Sequence, residues 1–162
     1  MDLRALRSCF GRFATGVTVV TTRGLDGRPV GLTANSFASV SLEPPLLSWN
    51  LSKRSPSRAV FEQAEWFAIN VLASDQLALS QRFATPAEDK FAGLMWREGI
   101  GGVPLLEGCI ARFECSAAHR FEAGDHVIFV GQIVEFGHHE DADPLLFFAG
   151  RYGVASPHPE TA

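Results

Sequence analysis

Three short stretches carry side chains able to do chemistry: Gly31–Pro45 (GLTANSFASVSLEPP), Ser55-Pro56-Ser57 and Gly124-Asp125-His126. In the first, Thr33, Ala34, Asn35, Ser36, Ser39 and Ser41 lie between the apolar anchors Leu32, Phe37 and Val40. Hydroxyls and a carboxamide inside a β-rich fold must find hydrogen-bond partners or cost free energy. They offer donors and acceptors on short stems, while Gly31, Ala34 and Ala38 leave room for a flat group against the backbone. The pattern predicts one wall of a site for a planar, polar cofactor.

Ser55 is placed as a helix N-cap with Pro56 at the first helical position. The start of a helix presents unpaired N–H groups and a partial positive charge, a natural seat for phosphate. Lys53, Arg54 and Arg58 add charge there. An ordinary capped helix reads the same way; the neighbouring wall tips the balance toward a site. Gly124-Asp125-His126 combines a turn, a turn-favouring carboxylate and an imidazole at a strand start, which serves structure as readily as proton chemistry.

Other motifs fall away. Side chains along His138-His139-Glu140-Asp141 point alternately and do not converge on a metal. Gly99-Ile100-Gly101-Gly102 lacks the third glycine of a dinucleotide fingerprint, and Pro104 follows where its helix should begin. Any nicotinamide nucleotide is therefore expected to be held without a Rossmann domain. No G-x-S-x-G nucleophile elbow occurs.

The elements that must position these residues are mostly strands. A helix is predicted from Leu3 to Phe13, closed by Gly16, and then Val17–Thr22 runs extended. Asp26-Gly27 turns the chain into Pro29–Thr33, and Ser36–Leu42 and Leu46–Leu51 follow as strands. A short helix reaches from Ser55-Pro56 to Gln63, and Trp66–Leu72 is a strand. Ser74 or Asp75 caps a second helix to Phe83, with Leu77, Leu79, Phe83 and Ala84 on its buried side. Residues 84–103, with Pro86 and four glycines, read as loops with short helical turns. From Ala111 to Ala117, buried Ala111, Phe113, Cys115 and Ala117 alternate with wetter Arg112, Glu114 and Ser116. His126–Phe136 and Pro144–Ala149 are the last strands. One domain over 1–155 is expected, mainly β with peripheral helices, and a disordered tail over 156–162.

A chain of 162 residues can bury a core without disulfides or metal. A net charge of −4 with no basic run argues against nucleic acid as a partner. No signal peptide or membrane-spanning window is visible, which places the protein in the cytoplasm. Cys9, Cys109 and Cys115 read as unpaired thiols, since Cys109 and Cys115 would lie roughly 20 Å apart along a strand.

The wording of GLTANSFASVSLEPPLL resembles the flavin reductase family. So do FATGVTVVTT (13–22), FAINVLASDQLALSQRFA (67–84), DKFAG (89–93) and GDHVIFVGQIV (124–134), in the family's order from about Phe10 to Tyr152. The resemblance implies an FMN-binding split β-barrel that dimerises; the numerous Phe, with Trp49, Trp66 and Trp96, lend the dimer slight support. It implies that Asn50, Leu51, Ser52, Ser55 and Ser57 hold the flavin phosphate, although the family often has Thr where Ser57 stands. It implies that His126 is the catalytic position, orienting the dihydronicotinamide. Phe83, Lys90 and Phe91 match positions near the cofactor, where Lys90 could face the phosphate or the reduced ring. Read without the family, the two rings are core and the lysine a surface charge. Arg151 and Tyr152 resemble the family's closing element.

The implied activity is hydride transfer from NADH or NADPH to FMN or FAD, with reduced flavin diffusing to a separate monooxygenase. The alternatives are an FMN-retaining electron carrier, a flavin-binding module without catalysis and, more remotely, pyridoxamine-phosphate-oxidase-like chemistry on the same barrel.

Overall fold

The computed structural model describes residues 1–161. In chain order its elements are α1 (Leu3–Phe10), β1 (Thr15–Gly16), β2 (Thr18–Arg23), β3 (Pro29–Ala34), β4 (Ala38–Leu42) and β5 (Pro45–Ser52). Then come α2 (Arg58–Gln63), β6 (Trp66–Val71), α3 (Leu77–Ala84), β7 (Trp96–Glu98) and β8 (Pro104–Leu106). The long strands β9 (Ala111–Ala123) and β10 (His126–His138) precede β11 (Leu145–Phe148) and β12 (Arg151–Val154).

Seven strands form one antiparallel sheet in the order β3-β2-β6-β9-β10-β5-β4. Its inward side chains meet in one core. Along β5 the period of two sends Leu47, Trp49 and Leu51 inward and leaves Ser48, Asn50 and Ser52 on the wetter face. Trp49 stacks on Phe129 at 4.7 Å and takes the ring of Phe61 edge-on at 5.0 Å. Val30, Leu32 and Ala34 of β3 pack against this same cluster, so the sheet's far edge returns to its near one. The seam is not laddered. Instead the Ser36 hydroxyl accepts from the Asn50 N–H at 2.9 Å and donates to the Asn50 carbonyl at 3.2 Å. This is a split β-barrel. A second core, including Val17, Val19, Leu72, Phe83, Phe91 and Leu145, lies under α3, with β1, β11 and β12 in a small separate sheet. No helix among the described residues is long and apolar enough to cross a membrane.

Several sequence expectations change here. Helix α1 stops at Phe10 because Gly11 ends it, not Gly16, and none of its residues is buried. Asp2 starts it, accepting from the N–H groups of Arg4 and Ala5 at 2.8 and 3.3 Å. Helix α2 begins only at Arg58 with Ser57 in the cap position, so Ser55 is not its N-cap and Pro56 not its first residue. Helix α3 begins at Leu77 after Gln76, not after Ser74 or Asp75, and buries Ser80 with Phe83 while Leu77 and Ala84 stay exposed. Residues 84–103 are not all loop: β7 pairs with β8. Strand β12 went unread because its Gly153 and Arg151 break the apolar pattern. Glu114 is buried rather than wet, since its carboxylate accepts from the Ile100 N–H at 2.7 Å and holds the neighbouring turn. Residues Ala155–Thr161 join no strand, and Ala162, the end of the expected tail, lies outside the described residues.

Candidate functional site

Along β3, Val30, Leu32 and Ala34 face the barrel core and Gly31 and Thr33 face outward toward α3. A side chain on Gly31 would stand 2.8 Å from the Phe83 ring and 3.2 Å from that of Phe91. The glycine therefore admits two phenyl rings, packed edge-to-face at 5.0 Å, and not a flat ligand as its sequence context suggested. The loop that supplies Phe91 is tied down locally. The Asp89 carboxylate accepts from the N–H groups of Phe91 and Ala92 at 2.9 and 3.1 Å. Arg82 reaches from α3 to the carbonyls of Lys90 (2.7 Å) and Ala92. Lys90 in turn donates to the carbonyls of Phe83 at 2.8 Å and Gly31 at 3.5 Å.

These groups border a cleft of about 710 Å³. One side is the Gly31–Thr33 edge with Phe83, Lys90 and Phe91; the other is the Ser55-Pro56-Ser57 turn. The wall and the serine turn thus converge, but through a different set of donors from those expected. Backbone N–H groups of the turn are already spent: Ser55 donates to the Ser52 carbonyl, Ser57 to the Ser55 hydroxyl oxygen and Arg58 to the Ser55 carbonyl. Neither serine hydroxyl caps α2, so both O–H groups remain as donors. Lys90 is half-buried, and desolvation holds its ammonium below the ordinary lysine range. It pairs with no carboxylate among the described residues. Two hydroxyls and an uncompensated ammonium are a donor set that fits a phosphate.

A second polar group sits beside the turn. In the β5–β10 register His126 lies opposite Ser52, and Ile128 opposite Asn50, so His126, Ser52 and Asn50 share a face. The His126 Nδ1 is 2.7 Å from the Asp125 carboxylate, and the Lys53 N–H donates to the Asp125 carbonyl at 2.9 Å, tying this corner to the serine turn. Bonded to His126 and close to its charge, Asp125 is held below the ordinary carboxylate range. Both side chains are open: Asp125 is 90% and His126 46% exposed.

Of the residues singled out in the sequence, Thr33, Ser55, Ser57, Phe83, Lys90 and Phe91 line the cleft. Asn50, Ser52 and His126 form the neighbouring face, and Ser36 is spent on the seam. Ala34 and Leu51 turn their side chains into the core and can meet a ligand only through backbone. Asn35, Ser39 and Arg151 are exposed outside the cleft. The Gly31–Pro45 segment is thus a half-open rim, not an interior wall. Tyr152 acts from behind: its hydroxyl is 2.8 Å from the buried Ser80 hydroxyl, while Thr33 donates to the Ser80 carbonyl at 2.6 Å. Ser80 went unmarked in the sequence; one hydroxyl amid the apolar positions of a helix was its only signal. Val60 and the stretch Pro86–Glu88 also border the cleft, with no motif to flag them.

A split β-barrel with a phosphate-suited cleft on its rim is the class that fold and site define. The chain belongs to the flavin reductase like domain family, which matches residues 10–156. It is 47% identical over 150 residues to the FMN reductase (NADH) SmoA of Agrobacterium fabrum, covering 93% of this chain and 84% of that protein. It is 48% identical over 134 residues to the reductase component of a flavin-dependent trigonelline monooxygenase of Acinetobacter baylyi, covering 83% of this chain. The chain spans only 43% of the length of that relative and of one other that it matches. Among solved structures it is similar to an NADH:FAD oxidoreductase of Streptomyces globisporus in complex with NAD and FAD fragments. There the TM-score is 0.92 at 37% identity, over 98% of this chain and 95% of the other.

Proposed function

We propose that this chain is an NAD(P)H:flavin oxidoreductase that reduces FMN or FAD with NADH or NADPH and releases the reduced flavin to a separate monooxygenase. One observation carries the reading: Thr33, Ser55, Ser57 and an unpaired Lys90 converge on one cleft, with His126 anchored to the same serine turn. The names of the relatives support it, since they include an NADH-using FMN reductase and a monooxygenase reductase component.

A bound flavin supplies the acceptor for the hydride at its N5. The chain's residues bind and orient. The hydroxyls of Ser55 and Ser57 and the ammonium of Lys90 hold the phosphate. Thr33 and Asn50 offer polar edges to a flat ring system, and Phe83 and Phe91 fix the Gly31 edge that frames it. His126, held at Nδ1 by Asp125, presents Nε2 to orient the nicotinamide. No covalent nucleophile is required of the protein, because holding two rings in contact is the main task.

The domain we assign spans 1–155. We place the protein in the cytoplasm, where its three free thiols accord with a reducing compartment. We further propose a homodimer, which the family resemblance implies and for which the exposed apolar side chains of Leu3, Phe10, Leu42, Phe136 and Val154 are candidate contacts. A stable monomer in sedimentation at micromolar concentration would contradict the dimer. For the activity, purified protein is mixed with each pairing of FMN or FAD with NADH or NADPH, and loss of nicotinamide absorbance is followed. Absence of turnover in all four rules the reading out.

A further inference from the structure

A cavity of about 250 Å³ lies where the β7–β8 ribbon meets the open end of the β9–β10 pair, and it shares no residue with the cleft described above. Its floor is Leu105, Leu106 and Cys109, all buried, and its rim carries Arg97, Arg112 and His139. Arg112 stands opposite Gly137 in the β9–β10 register, and a side chain on that glycine would overlap its Nη1, so the guanidinium lies flat on the strand. It is half-buried, yet its Nε is buried without a hydrogen-bond partner. The nearest acceptor, the Glu114 Oε1, is 3.6 Å away, beyond hydrogen-bond reach, while Glu114 Oε2 holds the Ile100 N–H at 2.7 Å. Arg97 enters no ion pair among the described residues; its neighbour Glu98 is committed to Arg23 at 2.6 Å. The N–H of His139 donates to the Ile110 carbonyl at 2.7 Å, which fixes that imidazole's place on the rim. Glu107 also lines the cavity and pairs with neither arginine. The Cys109 thiol, pushed up to about 12 by burial, is uncharged and does not oppose an anion.

Two permanent positive charges and an imidazole thus surround this cavity against one carboxylate, in a chain whose net charge is −4. A half-buried guanidinium with unspent donors calls for an acceptor. Its planar fork matches a carboxylate, two N–H groups to two oxygens. The leucines and the thiol beneath give an apolar body a place out of water. The volume falls under the ~300 Å³ at which pockets for cofactor-sized ligands begin, so a nucleotide is too large. We infer that this cavity binds a small organic carboxylate, with its head on Arg97 and Arg112 and its body on Leu105, Leu106 and Cys109. That ligand is a further one, held apart from the flavin and the nicotinamide.

The test is calorimetric titration of the full chain with benzoate, its uncharged counterpart benzamide, and inorganic phosphate. Benzoate should bind about tenfold more tightly than benzamide, the scale of one hydrogen bond to a charged group, and more tightly than phosphate. Arg97→Gln and Arg112→Gln should each weaken benzoate by about the same factor, whereas Lys90→Met, in the other cleft, should leave it unchanged. Arg112 lies beside the buried Glu114, so Arg97→Gln, at an exposed position, keeps the test independent of folding. No binding of benzoate up to about 10 mM, weaker than ordinary specific association, would overturn the site. So would equal binding of benzamide, or an unchanged benzoate affinity in Arg97→Gln. Phosphate binding as tightly as benzoate would overturn the organic ligand and leave a bare anion in its place. Loss of benzoate binding in Lys90→Met would move the ligand into the flavin cleft. None of these readings requires flavin or turnover, so an inactive protein that binds benzoate would sink the proposed activity and leave this inference standing.

Discussion

The ammonium of Lys90 lies 2.8 Å from the carbonyl of Phe83, whose ring fills the space that a side chain on Gly31 would need. The phosphate-suited cation and the packing of the β3 edge are therefore parts of one cluster, and either can be disturbed through the other. Gly31→Ala should force the Phe83 and Phe91 rings to shift, since its new methyl would meet them at 2.8 and 3.2 Å. Overpacking of this kind costs about 1–3 kcal/mol. Chemical denaturation should show that loss together with a raised KM for flavin. A variant as stable as the wild type would mean the rings move freely.

Lys90 should set the pH limit of flavin binding. Burial lowers its pKa from 10.5, so the ammonium is lost earlier in an alkaline titration than that of a free lysine. Between the lowered value and 10.5 the unfolded chain binds more protons than the folded one, so this group alone makes stability rise with pH in that window. Phosphate binding runs the other way, weakening as the ammonium deprotonates. FMN dissociation constants measured against pH should climb on the alkaline side in the wild type and stay flat in Lys90→Met. That variant should also narrow the gap between FMN and riboflavin affinity, with the part due to the Ser55 and Ser57 hydroxyls remaining.

The long strands and the ends of the cleft were legible because they rest on local rules, whereas the short β1, β7, β8 and β12 were not. Alternation in Leu46–Ser52 and the β-branched run at Val17–Thr22 left little choice of conformation. What failed depended on long-range partners. Gly31 read as room for a ligand, but the rings that use the room arrive from positions 83 and 91. Glu114 read as a wet residue because alternation cannot reveal that a turn at Ile100 needs its carboxylate. The serine turn read as a helix start; its N–H groups close a tighter turn first, so the donors that remain are side chains.

Tyr152 should matter without touching flavin. Its hydroxyl meets Ser80 at 2.8 Å, and Ser80 in turn accepts from Thr33 through its carbonyl. Tyr152→Phe removes the partner of a fully buried hydroxyl, which costs about 1–3 kcal/mol. The resulting slack in α3 should raise KM for flavin with little change in kcat. A fall in kcat at unchanged KM would instead put the phenol at the reacting atoms.

His126→Ala should raise KM for the nicotinamide by about tenfold, the upper scale of one lost hydrogen bond, while flavin affinity measured by fluorescence changes little. Asp125→Asn should have a smaller effect in the same direction. The carboxylate is 90% exposed, so its bond to Nδ1 contributes to orienting the imidazole only modestly. Equal losses of flavin and nicotinamide binding would move His126 into the flavin site.

The thiols should separate by accessibility and mark an alkaline limit of the fold. Burial pushes Cys109 and Cys115 up to about 12 from 9.0, whereas Cys9 is exposed. Under mildly alkaline conditions only Cys9 should react with a thiol reagent, because the other two hold no thiolate to attack with. Denaturant should release both. Between 9.0 and about 12 the folded chain binds more protons than the unfolded one, since its thiols keep theirs and those of the unfolded chain do not. Stability should therefore fall as pH rises through that window. In Cys109→Ala/Cys115→Ala the slope should be shallower, whatever stability the smaller side chains lose. Rapid labelling of all three thiols in the native protein would show that the barrel opens locally around Cys109 or Cys115.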